Sequence, residues 1–592
     1  MIKDWFHQVI SQGRNEKTAI QFLEKKYSYL WLYDCINRIV KEISMIPCHS
    51  KHIGAVVLDR SPEMIATIMA MLQMEIAFVP IDPNFPKERI KWILQDAQVD
   101  FVVSQSKYKS ICAKIPSFLI DQASGKETVD NPIPSKGNRL AYIAYTSGTT
   151  GNPKGVMVTR KGLTNFIEGL GKRINFDGLH RIACFTTVSF DIFFVESVAA
   201  LCYGWEIVLA SEEEKDNPRK IAKLLAEERI QILQLTPSRL QLLYNYDLQL
   251  ESLQSVKVLM IGGEPFPNSL LKQVQQKTQT KIYNMYGPTE CTIWATVSEL
   301  TDKEHVDIGK PLPNIEVYVV DETLHRVSPG EAGELCIAGN CLAEGYNKQE
   351  ELTAQSFCHM PENGVLVYRT GDYVRHLPSG DLQYIGRKDN QIKLRGYRIE
   401  LEEIEQNIQS HPFIERAVAL MEGTDDQKQI VLTYSRVKTE KIRDDQMRLW
   451  LKKRIPHYML PARYIEIQDY PYTSNGKIDR KALEGLIKAK KSQAYEGNGF
   501  VSCHEQEIWN AIQSVLSRHY KSPPFEATLM ELGIDSLSFI RIAVKLEESL
   551  GFEFEDHMLD YKLYETVLDL FDYVINHIAY KTNGKKADGG LT

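Results

Sequence analysis

The chain has no apolar run approaching about 18 residues, so no membrane-spanning helix is expected. Its N-terminus, MIKDWFHQVISQGRNEKTAI, lacks the apolar core of a secretion signal. There is no basic block, and the net charge is −7, which argues against a nucleic-acid partner. The ten cysteines are scattered and never spaced C-x-x-C, and Cys336 and Cys341 have no histidine pair nearby. They read as reduced, mostly buried thiols of a cytoplasmic protein rather than as zinc ligands or disulfides. No internal repeat is present.

What is present is a long chain of ordinary globular composition. At 592 residues it exceeds a single core, so two or three domains are expected. From about residue 15 to 385, apolar strand-like runs (53–58, 99–104, 207–210, 230–235, 256–261) alternate with amphipathic helical patterns such as 219–229. That alternation predicts an α/β core with largely parallel sheets. Turns bearing Gly262 and Gly263, Gly287 and Gly371 follow such runs, where ligands gather in open sheets. Residues 386–396 are polar and read as a connector to a compact α+β segment ending near 483. Residues 487–498 read as a linker. Beyond about 503 the pattern is helical, with apolar i, i+3, i+4 spacing over 505–516 and 536–550.

The most informative string is YIAYTSGTTGNPKGVMV, residues 142–158. An apolar run, 140–144, breaks into Thr146, Ser147, Gly148, Thr149, Thr150 and Gly151. Glycines let the backbone approach a ligand, and hydroxyls with free backbone N–H groups suit phosphate oxygens. Lys154 adds a point charge. The Walker spacing is absent.

This string resembles the phosphate-binding signature of the adenylate-forming enzymes. Further matches follow in the family's order: FVPIDPNFP (78–86), FDIFFVES (190–197), NMYGPTE (284–290), GELCIAG (333–339), YRTGDYVR (368–375), GRKDNQIKLRGYRIELEEIE (386–405) and NGKIDR (475–480). Together they resemble the amino-acid adenylation domains of nonribosomal peptide synthetases over roughly residues 15–483. The string LMELGIDSLSFIRI resembles the peptidyl carrier proteins, whose serine, here Ser536, carries 4′-phosphopantetheine. The resemblance implies a large α/β core at 1–388, a small mobile α+β lobe at 389–483, a linker at 484–502, an all-α four-helix-bundle carrier domain at 503–580 and a disordered tail at 581–592.

It also implies roles. ATP is expected on Thr146–Gly151 with Lys154, Gly263, Glu264, Tyr286, Gly287, Thr289, Asp372 and Arg387. The flat ring of Tyr286 suits adenine, and Asp372 with Arg387 suits ribose hydroxyls. Glu290 suits Mg²⁺ beside a triphosphate. Lys477 is the expected catalytic residue, a cation at the substrate carboxylate and α-phosphorus. No general base is needed, because the attacking carboxylate is already ionised. Asp389 stands at the family's hinge, and Gly396 lines the expected thiol tunnel. A phosphopantetheinyl transferase and a downstream condensing or tailoring enzyme are the expected partners, with no nucleic acid and no membrane.

The side-chain pocket implied by the resemblance is Asp191, Ile192, Val195, Gln234, Met260, Gly262, Met285, Ile293 and Trp294. Asp191 suits an α-ammonium, which fatty- and aryl-acid relatives do not bind. The set resembles the family's glycine pocket. Its bulky apolar members fill space, so glycine is expected first and alanine slower; serine and threonine stay open. Gln234 suits either a backbone partner or a small polar side chain. Three positions in two places depart from the family: Glu75 and Ile76 replace usual glycines, and Arg160 stands where histidine is common. Other readings are an acyl- or aryl-CoA-type ligase and a non-catalytic scaffold with a decayed site. Asp191, Lys477, Asp372, Glu290 and the intact loop argue against them. The chain's limits suggest a discrete loading protein or an initiation module.

Overall fold

The computed structural model describes residues 15–48, 52–112, 114–122, 139–148, 151–423, 428–437, 442–472, 478–490, 503–516 and, within 527–584, all but 530, 531, 533, 535, 551–553, 555, 560–562 and 565. It divides into two compact units, 1–403 with 453–456, and 404–452 with 457–592. No helix among the described residues is long and apolar enough to cross a membrane.

The first unit holds two large sheets of mostly parallel strands, as the alternating pattern predicts. A nine-stranded sheet runs in the order Lys310–Pro311, Thr296–Glu299, Lys281–Tyr286, Val258–Gly262, Ile232–Leu235, Arg181–Cys184, Glu206–Leu209, Thr18–Phe22, Lys25–Ser28. Its six inner strands are parallel, and antiparallel strands close both edges. A six-stranded sheet runs Ser117–Leu119, Phe101–Ser104, Ile53–Val57, Ala77–Pro80, Leu140–Thr146, Lys154–Thr159. Its last pair is an antiparallel hairpin whose open end is the phosphate-loop string.

The helix Pro62–Gln73 is buried on every side, which its sequence PEMIATIMAMLQ permits. Ser61 caps its first turn and Pro62 sets the opening dihedral. It ends where the sequence departs from the family. Glu75 takes the left-handed conformation, φ 57°, in which a glycine would be unstrained. Arg160 donates to the carbonyls of Leu72 (3.0 Å) and Ile76 (3.3 Å) at this turn. The two departures therefore meet: a strained turn is tied down by the arginine that replaces histidine.

Residues 315–387 differ from the alternating expectation. They form an antiparallel five-stranded sheet with one short helix, Glu350–Ser356. Every pairing in it is antiparallel, and antiparallel neighbours need no crossover helix. The polar 386–396 stretch closes a strand, Leu382–Arg387, and opens a hairpin, Ile392–Leu394 with Tyr397–Ile399, which belongs to the first unit.

In the second unit a three-stranded sheet (Ile414–Glu422, Gln429–Arg436, Arg463–Glu466) packs on the helix Arg480–Lys490. Leu483 and Ile487, one turn apart, bury against Val418, Val431 and Tyr470, so the helix continues into residues whose composition reads as linker. The carrier region has its own core, with Ile508, Phe539, Leu546, Phe554 and Phe571 at its centre. Its long helices are Cys503–Gln513, Ser536–Leu550 and Val567–Gly584. A short 3₁₀ turn, Asp556–Leu559, is also present. The nine described cysteines are all free.

Candidate active site

The phosphate-loop string folds as its composition demands. A Cβ on Gly148 would lie 2.1 Å from the Asn152 carbonyl, so only glycine fits. Gly151 has φ 79°. The Thr146 hydroxyl is buried without a partner among the described residues. Thr149 and Thr150 lie outside them. Lys154 is buried, with Nζ 3.8 Å from both Glu290 and Glu400 and 4.9 Å above the Tyr346 ring. Burial pulls its ammonium below the ordinary lysine range, against the two carboxylates.

Two of the loop's donors are engaged by residues 398–403, at the end of the 392–399 hairpin and just beyond it. Gly148 N–H donates to Glu403 Oε2 at 3.1 Å, and Arg89 pairs with Glu403 Oε1 at 2.5 Å. Ser147 Oγ donates to the Arg398 carbonyl at 2.8 Å and accepts from Glu400 N–H at 3.1 Å. Arg398 itself reaches Glu290 Oε2 at 2.6 Å, while the Tyr346 hydroxyl donates to Oε1 at 2.7 Å. Burial opposes the charge on Glu290, but Arg398, Lys154 and Tyr346 outweigh it and hold its carboxyl down at about 2. Sequence reasoning did not single out Arg89, Tyr346, Arg398, Glu400 or Glu403. The last three lie within a string it quoted, but only long-range pairing shows what they touch.

A second cluster surrounds Tyr286, which ends the strand Lys281–Tyr286. Its hydroxyl donates to Asp372 Oδ2 at 2.5 Å, and Arg387 reaches Asp372 Oδ1 at 2.8 Å. Arg387 also makes two 2.7 Å bonds to Asp389. Gly287 follows without space for a Cβ, which would lie 2.6 Å from the Ile293 carbonyl. Lys393 Nζ lies 5.4 Å over the Tyr286 ring. Glu264 accepts from Ser238 N–H and Oγ, and from the N–H of Gly396, whose φ is 81°. Gly263, beside it, has φ 89°. Thr289 and Glu290 share the 3₁₀ turn Thr289–Cys291.

The nine pocket positions come from three adjacent parallel strands and two turns. Gln234, Met260 and Gly262 lie on neighbouring strands, with Gln234 opposite Met260 and Gly262 opposite Met285. Ile293 and Trp294 follow the Thr289–Cys291 turn, and Asp191, Ile192 and Val195 lead into the helical turn Val195–Ala199. All nine are buried or glycine. The packing is tight: a Cβ on Gly262 would lie 2.6 Å from the Met285 carbonyl and 2.7 Å from Trp294 Cη2. Asp191 Oδ2 has no hydrogen-bond partner among the described residues. Burial pushes its carboxyl up to about 6, despite a hydrogen bond with Thr289.

Lys477 lies outside the described residues. Ser536 opens its helix, which places it at a helix N-terminus. A glycine-built loop, a buried carboxylate with one oxygen unpartnered among the described residues and a helical region with its own core point to an acid-activating class of domain joined to a carrier domain.

Comparison with known proteins bears this out. Residues 6–347 match the AMP-binding enzyme family, and residues 506–574 match the phosphopantetheine attachment site. The chain belongs to the AMP-binding enzyme family and is an adenylation domain fused to a carrier domain. It is 36% identical over 551 residues to the dimodular nonribosomal peptide synthase of Bacillus subtilis (strain 168), covering 91% of this chain and 23% of that protein. It is 34% identical over 532 residues to gramicidin S synthase 1 of Brevibacillus brevis, covering 88% and 47%. The chain thus spans less than half the length of either relative. A four-domain nonribosomal peptide synthetase solved with AMP and glycine shares its structure at TM-score 0.61 and 28% identity, over 97% of this chain and 42% of that one.

Proposed function

We propose that this protein activates glycine with ATP as glycyl adenylate and passes the glycyl group to an arm on its own Ser536. The observation that carries this reading is Asp191: a buried carboxylate with one oxygen unpartnered, beside a pocket packed by Gln234, Met260, Met285 and Trp294. A free α-ammonium supplies the missing partner, and the packing leaves little space beyond Cα. The four-domain relative was itself solved with AMP and glycine.

In this reading Tyr286 carries adenine, Asp372 and Arg387 hold the ribose, and the loop from Thr146 to Gly151 with Lys154 takes the phosphates. Lys477 orients the carboxylate against the α-phosphorus and offsets the charge that builds as pyrophosphate leaves. Glu290 is the donor for Mg²⁺: one anionic carboxylate beside a phosphate loop is what that ion takes when substrate oxygens complete its shell. It serves once Arg398 draws away. Ser536, at a helix N-terminus, suits a phosphodiester, and 4′-phosphopantetheine there supplies the accepting thiol. Asp389 acts as hinge and Gly396 lines the thiol's path. A phosphopantetheinyl transferase and a downstream enzyme that takes the glycyl group are the implied partners.

The test is amino-acid-dependent exchange of labelled pyrophosphate into ATP, run across all common amino acids. Glycine should be fastest; a preference for a large or charged amino acid would overturn the substrate and leave the enzyme class standing. Lys477→Ala should slow adenylate formation by about 10²–10³-fold. Intact mass after phosphopantetheinyl transfer should show one addition, lost in Ser536→Ala.

A further inference from the structure

Two polar atoms in the pocket have no use in the reading above. Gln234 and Trp294 are each 2% exposed. The Gln234 amide nitrogen donates to the Leu235 carbonyl at 3.1 Å, which fixes the amide's orientation, because its oxygen would repel that carbonyl. Gln234 Oε1 is then left buried without a donor, and Trp294 Nε1–H is left buried without an acceptor, among the described residues. Buried polar atoms of this kind are rare and costly, and each needs an explanation.

The two belong to one face. Gln234 is level with Met260, and Gly262 follows two residues on, so all three side-chain positions point to the same side of the sheet. The Trp294 ring rests against that side at Gly262, with Cη2 2.7 Å from where a Cβ would stand. The acceptor and the donor therefore belong to residues that share the face a substrate side chain enters. A hydroxyl is the smallest group that satisfies both, because it donates and accepts at once.

We infer that Gln234 and Trp294 select by polarity as well as by volume, reading the space beyond the substrate's Cα with a hydrogen-bond acceptor and donor. This rests on the glycine reading and names how the pocket enforces it. With glycine bound, the little space beyond Cα takes a single water, which satisfies both atoms. Serine replaces that water with its own hydroxyl. Alanine puts a methyl group there and strands both atoms. Selection by volume alone would rank alanine, the smaller molecule, above serine. Selection by polarity ranks serine above alanine.

The experiment is pyrophosphate exchange by the full-length protein with glycine, serine and alanine. Glycine should lead, and kcat/KM for serine should exceed that for alanine by about 10-fold or more. Alanine above serine, with glycine still first, overturns this inference and leaves the glycine reading intact. A wild-type protein that activates none of the three overturns both. Trp294→Phe and Gln234→Met remove the donor and the acceptor at nearly constant volume. Each should shrink the serine-to-alanine ratio at least about 5-fold. An unchanged ratio in both overturns the inference. The wild-type ranking decides the matter even if a variant fails to fold.

Discussion

The phosphate loop and the amino-acid pocket lie in the same unit and treat their polar atoms in opposite ways. Around the loop, most of the described polar groups are paired within the chain, with the Thr146 hydroxyl the exception: Gly148 donates to Glu403, Ser147 pairs with residues 398 and 400, and Glu290 accepts from Arg398 and Tyr346. In the pocket, Asp191, Gln234 and Trp294 each keep an atom without a partner among the described residues. A carboxylate and a carbonyl of the chain take donors of the loop, and among the described residues no group of the chain pairs those three pocket atoms. A loop that meets a highly charged ligand can borrow a carboxylate as substitute. A pocket that selects by shape cannot borrow a side chain without losing that shape.

The largest effect expected from breaking this contrast is at Asp191. Asp191→Ala should lower kcat/KM for every amino acid by about 10²-fold or more, since the buried ammonium loses a charge-assisted partner. Activity retained within tenfold would remove the pocket's main assignment. The same carboxylate sets a pH dependence. Its pKa is raised to about 6, and only the ionised form pairs with an ammonium. The kcat/KM for glycine should therefore fall about tenfold per pH unit below that value. Stability runs the other way: the folded protein binds this proton more tightly than the unfolded chain, so Asp191 lowers ligand-free stability as pH rises from about 4 to about 6. A flat kcat/KM profile down to about pH 5 would refute the assignment.

At the loop, Glu403→Gln weakens the chain's own anion. Pyrophosphate exchange should rise about three- to tenfold relative to transfer onto the carrier, measured as a ratio of the two half-reactions. An unchanged ratio would mean that Glu403 does not compete for the loop. Arg160→Ala is a control remote from both regions. It should cost about 1–3 kcal/mol in thermal or denaturant unfolding, by stripping donors from two carbonyls, and leave the ranking of amino acids as it was.

Much of this was legible in the sequence. Apolar alternation revealed the parallel sheets, and the string 146–151 announced a glycine-built loop at the end of a strand, because glycine demands are local. The antiparallel sheet at 315–387 was missed, since its strands share the β signal of the strands before them. The helix Arg480–Lys490 outruns its charged composition because two apolar residues one turn apart suffice to anchor it. The pairing of Gly148 with Glu403 spans 255 residues, and that of Ser147 with Glu400 spans 253. No local pattern announces such a contact. The departures at 75, 76 and 160 were visible singly, and only the fold shows that they share one turn.

Tyr286, Asp372, Arg387 and Asp389 were introduced as separate bonds, but they form one unbroken hydrogen-bonded chain. Energetically such a chain is a single cooperative unit, and losses along it do not add. Removing the Tyr286 hydroxyl or the Arg387 guanidinium changes the hold on Asp372 from opposite sides. The double variant should therefore cost less than the two single costs combined. A nucleotide that meets any one of these residues meets all four, including the aspartate on which the hinge is assigned to turn.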